Sequence, residues 1–177
     1  DANSQECVCK TMSWQASSAS FEPILKGAHD LHIYGSLQLI PFEDGENYQY
    51  LGLIYFKAST SGNTIKTYSL RFRNHIYFRG DGGEWNLLDS LVVDNHIYLH
   101  EGTLNTNNFA VECDRFFSDY QAERTLNMGS SNFYIRKGWD PCWFIDYSEL
   151  MTLNAGTSTI IFTHTMNGEM LAGHGLR

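Results

Sequence analysis

No stretch of this chain is apolar for long enough to cross a bilayer as a helix, since no run approaches the ~20 residues required. Runs of Lys and Arg are also missing. Twelve basic residues stand against 20 acidic ones, a formal net charge of −8. Such a chain repels phosphate backbones, which excludes nucleic acid as a partner. Charge itself is scarce, at 18% of 177 residues against 42% hydrophobic; a usual charged share is ~25%. That balance excludes a disordered chain. No Asn-x-Ser/Thr acceptor occurs among the many asparagines, so a prokaryotic extracellular origin stays open.

Motifs that carry chemistry are missing too. There is no Gly-x-Ser-x-Gly, and Gly80-Asp81-Gly82-Gly83 lacks the following Lys and helix of a phosphate-cradling loop. Seven histidines invite a metal, yet none falls in a His-x-His or His-Glu-x-x-His pattern. His96 and His100 flank a strand-forming Ile97-Tyr98-Leu99, which sets them roughly 13 Å apart. One ion bonded at ~2 Å cannot bridge that span. His29 and His32 flank Asp30 and would close on an ion only if the segment turned there. The acidic loop Glu43–Asn47 lacks the alternation of a calcium loop and reads as a solvated turn. Neither a metal nor a cofactor is expected.

The cysteines are four: Cys7, Cys9, Cys113 and Cys142. An even count points to two disulfides and an oxidising compartment. Cys7 and Cys9 are too close for a relaxed bridge to each other, so each is expected to join Cys113 or Cys142. Loops of about 100 residues would then be closed, each worth a few kcal/mol. The chain opens on Asp1 without a leader, as signal removal would leave it. A secreted or extracellular protein is the expectation.

Alternation of apolar and polar residues dominates from about residue 30 onward. In Asp30–Ile40, Leu31, Ile33, Leu37 and Leu39 share one face. Tyr48–Ala58 and Thr64–Asn74, joined by a short Gly-containing link, read as a hairpin. The one helix that the spacing allows is Asp114–Leu126. Ten or more short strands with frequent turns predict an all-β domain, an antiparallel β-sandwich or jelly roll. Residues 1–18 read as an extended tail tethered by its cysteines, with 19–177 as the single β domain.

Ile-Tyr recurs at Ile33-Tyr34, Ile54-Tyr55, Ile76-Tyr77 and Ile97-Tyr98, spaced 21, 22 and 21 residues apart. A period near 20 fits one strand pair of a meander or one coil of a β-solenoid. Both residues are good strand formers, which yields such matches cheaply. The echo stops after Tyr98, which argues for generic strand patterning and against a full solenoid.

Aromatic residues are the most suggestive feature, with 4 Trp, 10 Tyr and 11 Phe. Trp85 and Trp139, set among Gly and polar neighbours, are the surface candidates, while Trp143 in an apolar run belongs to the core. Sugars stack on aromatic rings, and their hydroxyls donate hydrogen bonds to Asp and exchange them with Asn neighbours. A non-catalytic, lectin-like module that binds a glycan or glycoprotein is therefore expected. Its contact residues would be Trp85, Asn86, Trp139, Asp140, Tyr77 and Tyr98. A polysaccharide-active hydrolase or lyase is the alternative, its carboxylate pair drawn from Glu84, Asp94, Glu101, Asp146 and Glu149. Arg79-Gly80-Asp81 matches the adhesion tripeptide and would serve a matrix or adhesion domain if it formed a flexible, exposed tip.

Overall fold

The alternation is real, but the strands it makes run parallel and coil. The computed structural model describes residues 6–15, 24–41, 48–137, 141–164 and 170–174. Every strand pairing among them is parallel. Residues paired on the first sheet stand 19 to 28 positions apart in the chain. The result is a β-solenoid in which each turn lays one short strand on each of three sheets. Turns are numbered by their first-sheet strand. These are Cys7–Cys9, Leu31–Ile33, Ile54–Phe56, Ile76–Phe78, His96–Leu99, Arg115–Ser118 and Trp143–Asp146 for turns 1 to 7, with Met170–His174 following. The five turns 3 to 7 carry strands of all three sheets. In the first two, a separate two-stranded sheet, Leu25–Gly27 with Tyr48–Tyr50, takes the place of the third.

This corrects the antiparallel sandwich or jelly roll. Period-2 patterning says which side chains point inward, but it is blind to strand direction. The hairpin of Tyr48–Ala58 with Thr64–Asn74 fails for the same reason: Ile54–Phe56 pairs with its neighbours one turn away, not with the next strand in sequence. The helix over Asp114–Leu126 is also absent. Arg115–Ser118 and Arg124–Asn127 are strands there, with Phe116 and Leu126 fully buried and Phe117 and Thr125 facing out. A two-residue alternation within each strand overrode the helical spacing of Phe117, Tyr120 and Arg124.

Residues 7–9 and 12–13, expected in a tail, form strands of turn 1 paired to turn 2. No disulfide holds them: Cys7, Cys9, Cys113 and Cys142 are all free thiols. Adjacent turns lie about 4.8 Å apart, so Cys7 and Cys9 stand about 19 Å along the axis from Cys113, four turns on. A bridge needs Cα atoms within about 7 Å. The oxidising-compartment argument loses its support. Cys113 and Cys142 are instead fully buried, and burial pushes the Cys113 thiol pKa well up.

Inside the coil, like residues stack on like. Leu31, Ile54, Ile76, Ile97, Phe116 and Trp143 form one in-register column, and Ile33, Phe56, Phe78 and Leu99 another. All are 5% exposed or less. Burial of each such side chain contributes roughly 1.5–3 kcal/mol. At the corner between the first and second sheets the turns approach closely. A Cβ on Gly102, whose φ is +78°, would meet the carbonyl oxygens of Gly83 and Gly80 at 2.6 and 2.7 Å. Only glycine fits there.

The outer side of the second sheet carries a pattern legible only in register. Thr-Leu-Asn occurs at 103–105, 125–127 and 152–154, and the three copies stack residue on residue. Their asparagines form a ladder in which each Nδ2 donates to the Oδ1 one turn back. Asn105 donates to Asn86 at 2.9 Å, Asn127 to Asn105 at 2.5 Å and Asn154 to Asn127 at 2.6 Å.

Candidate functional site

Between two inward residues of each first-sheet strand, one side chain must point out. In turns 2 to 7 that residue is His32, Tyr55, Tyr77, Tyr98, Phe117 and Phe144. Parallel in-register pairing places these rings face to face. Centroids lie 4.7 Å apart for His32–Tyr55, 4.7 Å for Tyr55–Tyr77 and 4.5 Å for Tyr77–Tyr98, with planes within 19°. Tyr98–Phe117 continues at 5.3 Å and 16°, and Phe144 then turns its edge to Phe117 at 6.3 Å. His32 is buried at 5%, while the remaining rings are half-buried.

Stacking decides what this stripe can offer. Ring faces inside the column are covered by one another, so a sugar cannot lie flat on Tyr77 or Tyr98. What reaches solvent is the ring edge, where the quadrupole is positive, together with the phenol hydroxyls. Burial pushes the Tyr77 phenol up to about 12, helped by the charge and hydrogen bond of Tyr98. Burial also raises Tyr98. Both stay protonated donors at neutral pH.

Two further columns flank the rings. On one side His75 and His96 lie 4.6 Å apart, and Arg115 is the next-turn partner of His96. His96 Nδ1 sits 3.2 Å from the Tyr98 hydroxyl. Burial lowers the pKa of His75, and burial with the neighbouring His75, Arg115 and Lys137 lowers His96 to about 4. On the other side stand Lys57, Arg79, His100 and Asp119, in turns 3 to 6. Lys57 Nζ lies 5.7 Å from the centre of the Tyr55 ring. The Arg79 guanidinium covers Tyr120 at 5.0 Å and donates to its hydroxyl at 3.0 Å. His100 stacks on Tyr120 at 5.0 Å, with Nε2 3.3 Å from Asp119. That hydrogen bond from His100 holds the Asp119 carboxyl below its usual range.

Around the adjoining corner a polar groove of about 230 Å³ runs past Asp81, Glu84, Glu123, Thr103 and Thr125. Its inner wall is Arg124, buried at 2%, which donates to Ser118 Oγ at 2.6 Å, the Ser118 carbonyl at 2.8 Å and the Ala122 carbonyl at 2.9 Å. Among the described residues no group of three or more His, Cys, Asp or Glu is placed to hold a metal ion.

Of the contact residues read from sequence, Tyr77 and Tyr98 fall at the centre of the stripe. Asn86 lies on a different sheet, within the asparagine ladder, bonded to Glu84 and Asn105. Trp85 is fully buried: its polar neighbours Glu84 and Asn86 point out, so the residue between them points in, against Phe56 and Phe78. Trp139 and Asp140 lie outside the described residues. Arg79 and Asp81 of the adhesion tripeptide are exposed, with Gly80 packed inward between them. Arg79 is held by Tyr120, and Gly80 is buried where a Cβ would meet the Ala58 carbonyl oxygen at 2.0 Å.

The carboxylates offered as a catalytic pair scatter. Asp94 is held by Arg71 and Arg136, Glu84 accepts from Asn86 and Asn105, and Asp146 caps the Tyr147 amide. Sequence reasoning missed Tyr55, Phe117, Phe144, His75, His96, Lys57 and Arg115 as parts of one surface. Their signal was the Ile-Tyr period, with Phe accepted in place of Tyr. No protein-family model, no curated protein and no solved structure matches this chain.

Proposed function

We propose that this solenoid is a non-catalytic recognition module that binds a glycan chain laid along its first sheet. The observation that carries the reading is the stripe from His32 to Phe144, continuous through six consecutive turns. A linear polymer that runs parallel to the axis meets the same kind of group at every turn, so weak contacts add along its length. Phenol hydroxyls and imidazole nitrogens supply hydrogen bonds, and the ring edges supply apolar contact with a positive rim. The rings are locked by their neighbours, so little side-chain freedom is lost on binding.

Tyr77→Phe with Tyr98→Phe keeps the stack and removes two hydroxyls. Glycan affinity is expected to fall about tenfold, from roughly 0.5–1.5 kcal/mol per hydrogen bond, with the melting temperature nearly unchanged. A folded protein that binds no member of a broad glycan array refutes the reading.

The groove with Asp81, Glu84 and Glu123 favours a hydrolase as the second reading. Release of oligosaccharides, lost in Glu123→Gln, would establish it.

A further inference from the structure

The charges around the stripe say which glycans it takes. Turns 3 to 6 bring Lys57, Arg79 and Arg115 to the outer side of the first sheet, with His75, His96 and His100 between them. Of the carboxylates near that stretch, Asp119 already faces His100 at 3.3 Å, Asp114, which acts on His75, is held by Arg136 and Lys137, and Glu101 follows His100 in the chain. Other acids lie beyond the stripe's centre. Glu6 and Asp30 precede turns 1 and 2, Asp146 ends the turn 7 strand, and Asp81, Glu84 and Glu123 line the groove past the corner. A chain of net charge −8 thus gathers fixed cations on one surface.

The partners of two of these cations are neutral. Lys57 rests over Tyr55, and Arg79 lies over Tyr120 and donates to its hydroxyl. A cation held by a ring keeps its full charge for a ligand, whereas one held by a carboxylate has spent it. The exposed ring edges add positive potential of their own.

We infer that the stripe binds an acidic polysaccharide, whose carboxylate or sulfate groups lie beside Lys57, Arg79 and Arg115 while its sugar rings cross the Tyr55–Tyr77–Tyr98 edges. This rests on the glycan reading above and narrows it to one chemical class. Charge density along the polymer matches charge repeated from turn to turn, and the acidic ends and groove keep it in the central lane.

The test uses the whole chain with matched pairs of polymers: alginate and its propylene glycol ester, dextran sulfate and dextran, and duplex DNA as a polyanion without sugar-ring display. Binding to at least one acidic member, at least about tenfold tighter than to its neutral counterpart and weakened by added salt, is expected. The double variant Lys57→Gln/Arg79→Gln is expected to bind that acidic member about fivefold more weakly with an unchanged melting temperature. Equal binding within each pair overturns the acidic preference and leaves glycan binding standing. No binding to any polysaccharide overturns both. DNA bound as tightly as the acidic glycan overturns the assignment to polysaccharide, and so does a double variant that is folded yet unimpaired.

Discussion

The outer sides of the first and third sheets are built by the same backbone and treat charge in opposite ways. On the third, Arg71 meets Asp94 at 2.8 Å and Glu112 at 3.1 Å, and Arg136 meets Asp94 at 3.2 Å, Glu112 at 3.3 Å and Asp114 at 3.2 Å. Lys137 adds a second cation to Asp114 at 2.6 Å. Three cations and three carboxylates close on themselves. The first sheet instead rests Lys57 and Arg79 on aromatic rings and pairs Asp119 with His100. In-register stacking brings like beside like on every side of a solenoid, so position alone does not mark a site. What differs is whether the repeated groups satisfy one another. The third sheet's charges neutralise one another, whereas Lys57 and Arg79 on the first sheet rest on neutral rings.

The largest effect that sharpens this contrast is expected at Asp114, whose side chain is 5% exposed between Arg136 and Lys137. Asp114→Ala removes two charge-assisted contacts made by a buried carboxylate, each worth roughly 1.5–3 kcal/mol, and is expected to cost about 3 kcal/mol in urea unfolding. The matching removal on the first sheet, Lys57→Ala, should cost under about 1 kcal/mol. Equal losses would erase the distinction between the two sides. Second in size is Tyr77→Ala, which takes a ring from between Tyr55 and Tyr98. Two stacked pairs worth roughly 0.5–1.5 kcal/mol each disappear, a loss of about 2 kcal/mol. Tyr77→Phe should restore nearly all of it.

Much of the core was legible in the sequence. Leu31, Ile33, Leu37 and Leu39 do share an inward face, because alternation reports burial whatever the strand's direction. Direction was not legible, since a Gly-containing link between two strands fits a hairpin and a solenoid corner equally well. The Ile-Tyr echo held the answer. Ile54-Tyr55, Ile76-Tyr77 and Ile97-Tyr98 stack in register, but Ile33-Tyr34 is two residues out, with His32 in the tyrosine column. The echo runs on past Tyr98, where Phe117 and Phe144 continue it with another ring. A column asks for aromatic shape, not for one amino acid. Trp85 was misjudged by its neighbours in sequence, when in a strand adjacent residues face opposite ways.

Acid should act on the first sheet before the third. His96, lowered to about 4, and His75, also lowered, bind protons less readily in the folded chain than unfolded, where the ordinary value is about 6.5. The unfolded state therefore holds more protons between pH 6.5 and 4. Their contribution to stability is complete above about 6.5 and drains away as pH falls toward 4. His75→Gln/His96→Gln should flatten the stability profile over that window, as followed by thermal melts. On the third sheet, burial raises the Asp94 carboxyl, but hydrogen bonds from Arg71 and Arg136 outweigh it and bring the group below its ordinary 3.8. Its contribution is lost only at pH values under that range.

The smallest effect is expected at Arg71. Its side chain is 46% exposed, and both of its carboxylate partners are also held by Arg136. Arg71→Ala thus strands no buried charge and should cost about 0.5 kcal/mol, as exposed ion pairs do. Screening separates the causes of whatever loss is found. An ionic contribution should shrink toward zero in 1 M salt, where the Debye length is about 3 Å. A loss that persists there belongs to the apolar stem of Arg71 on the sheet, and the closed network would then owe less to charge than its geometry suggests.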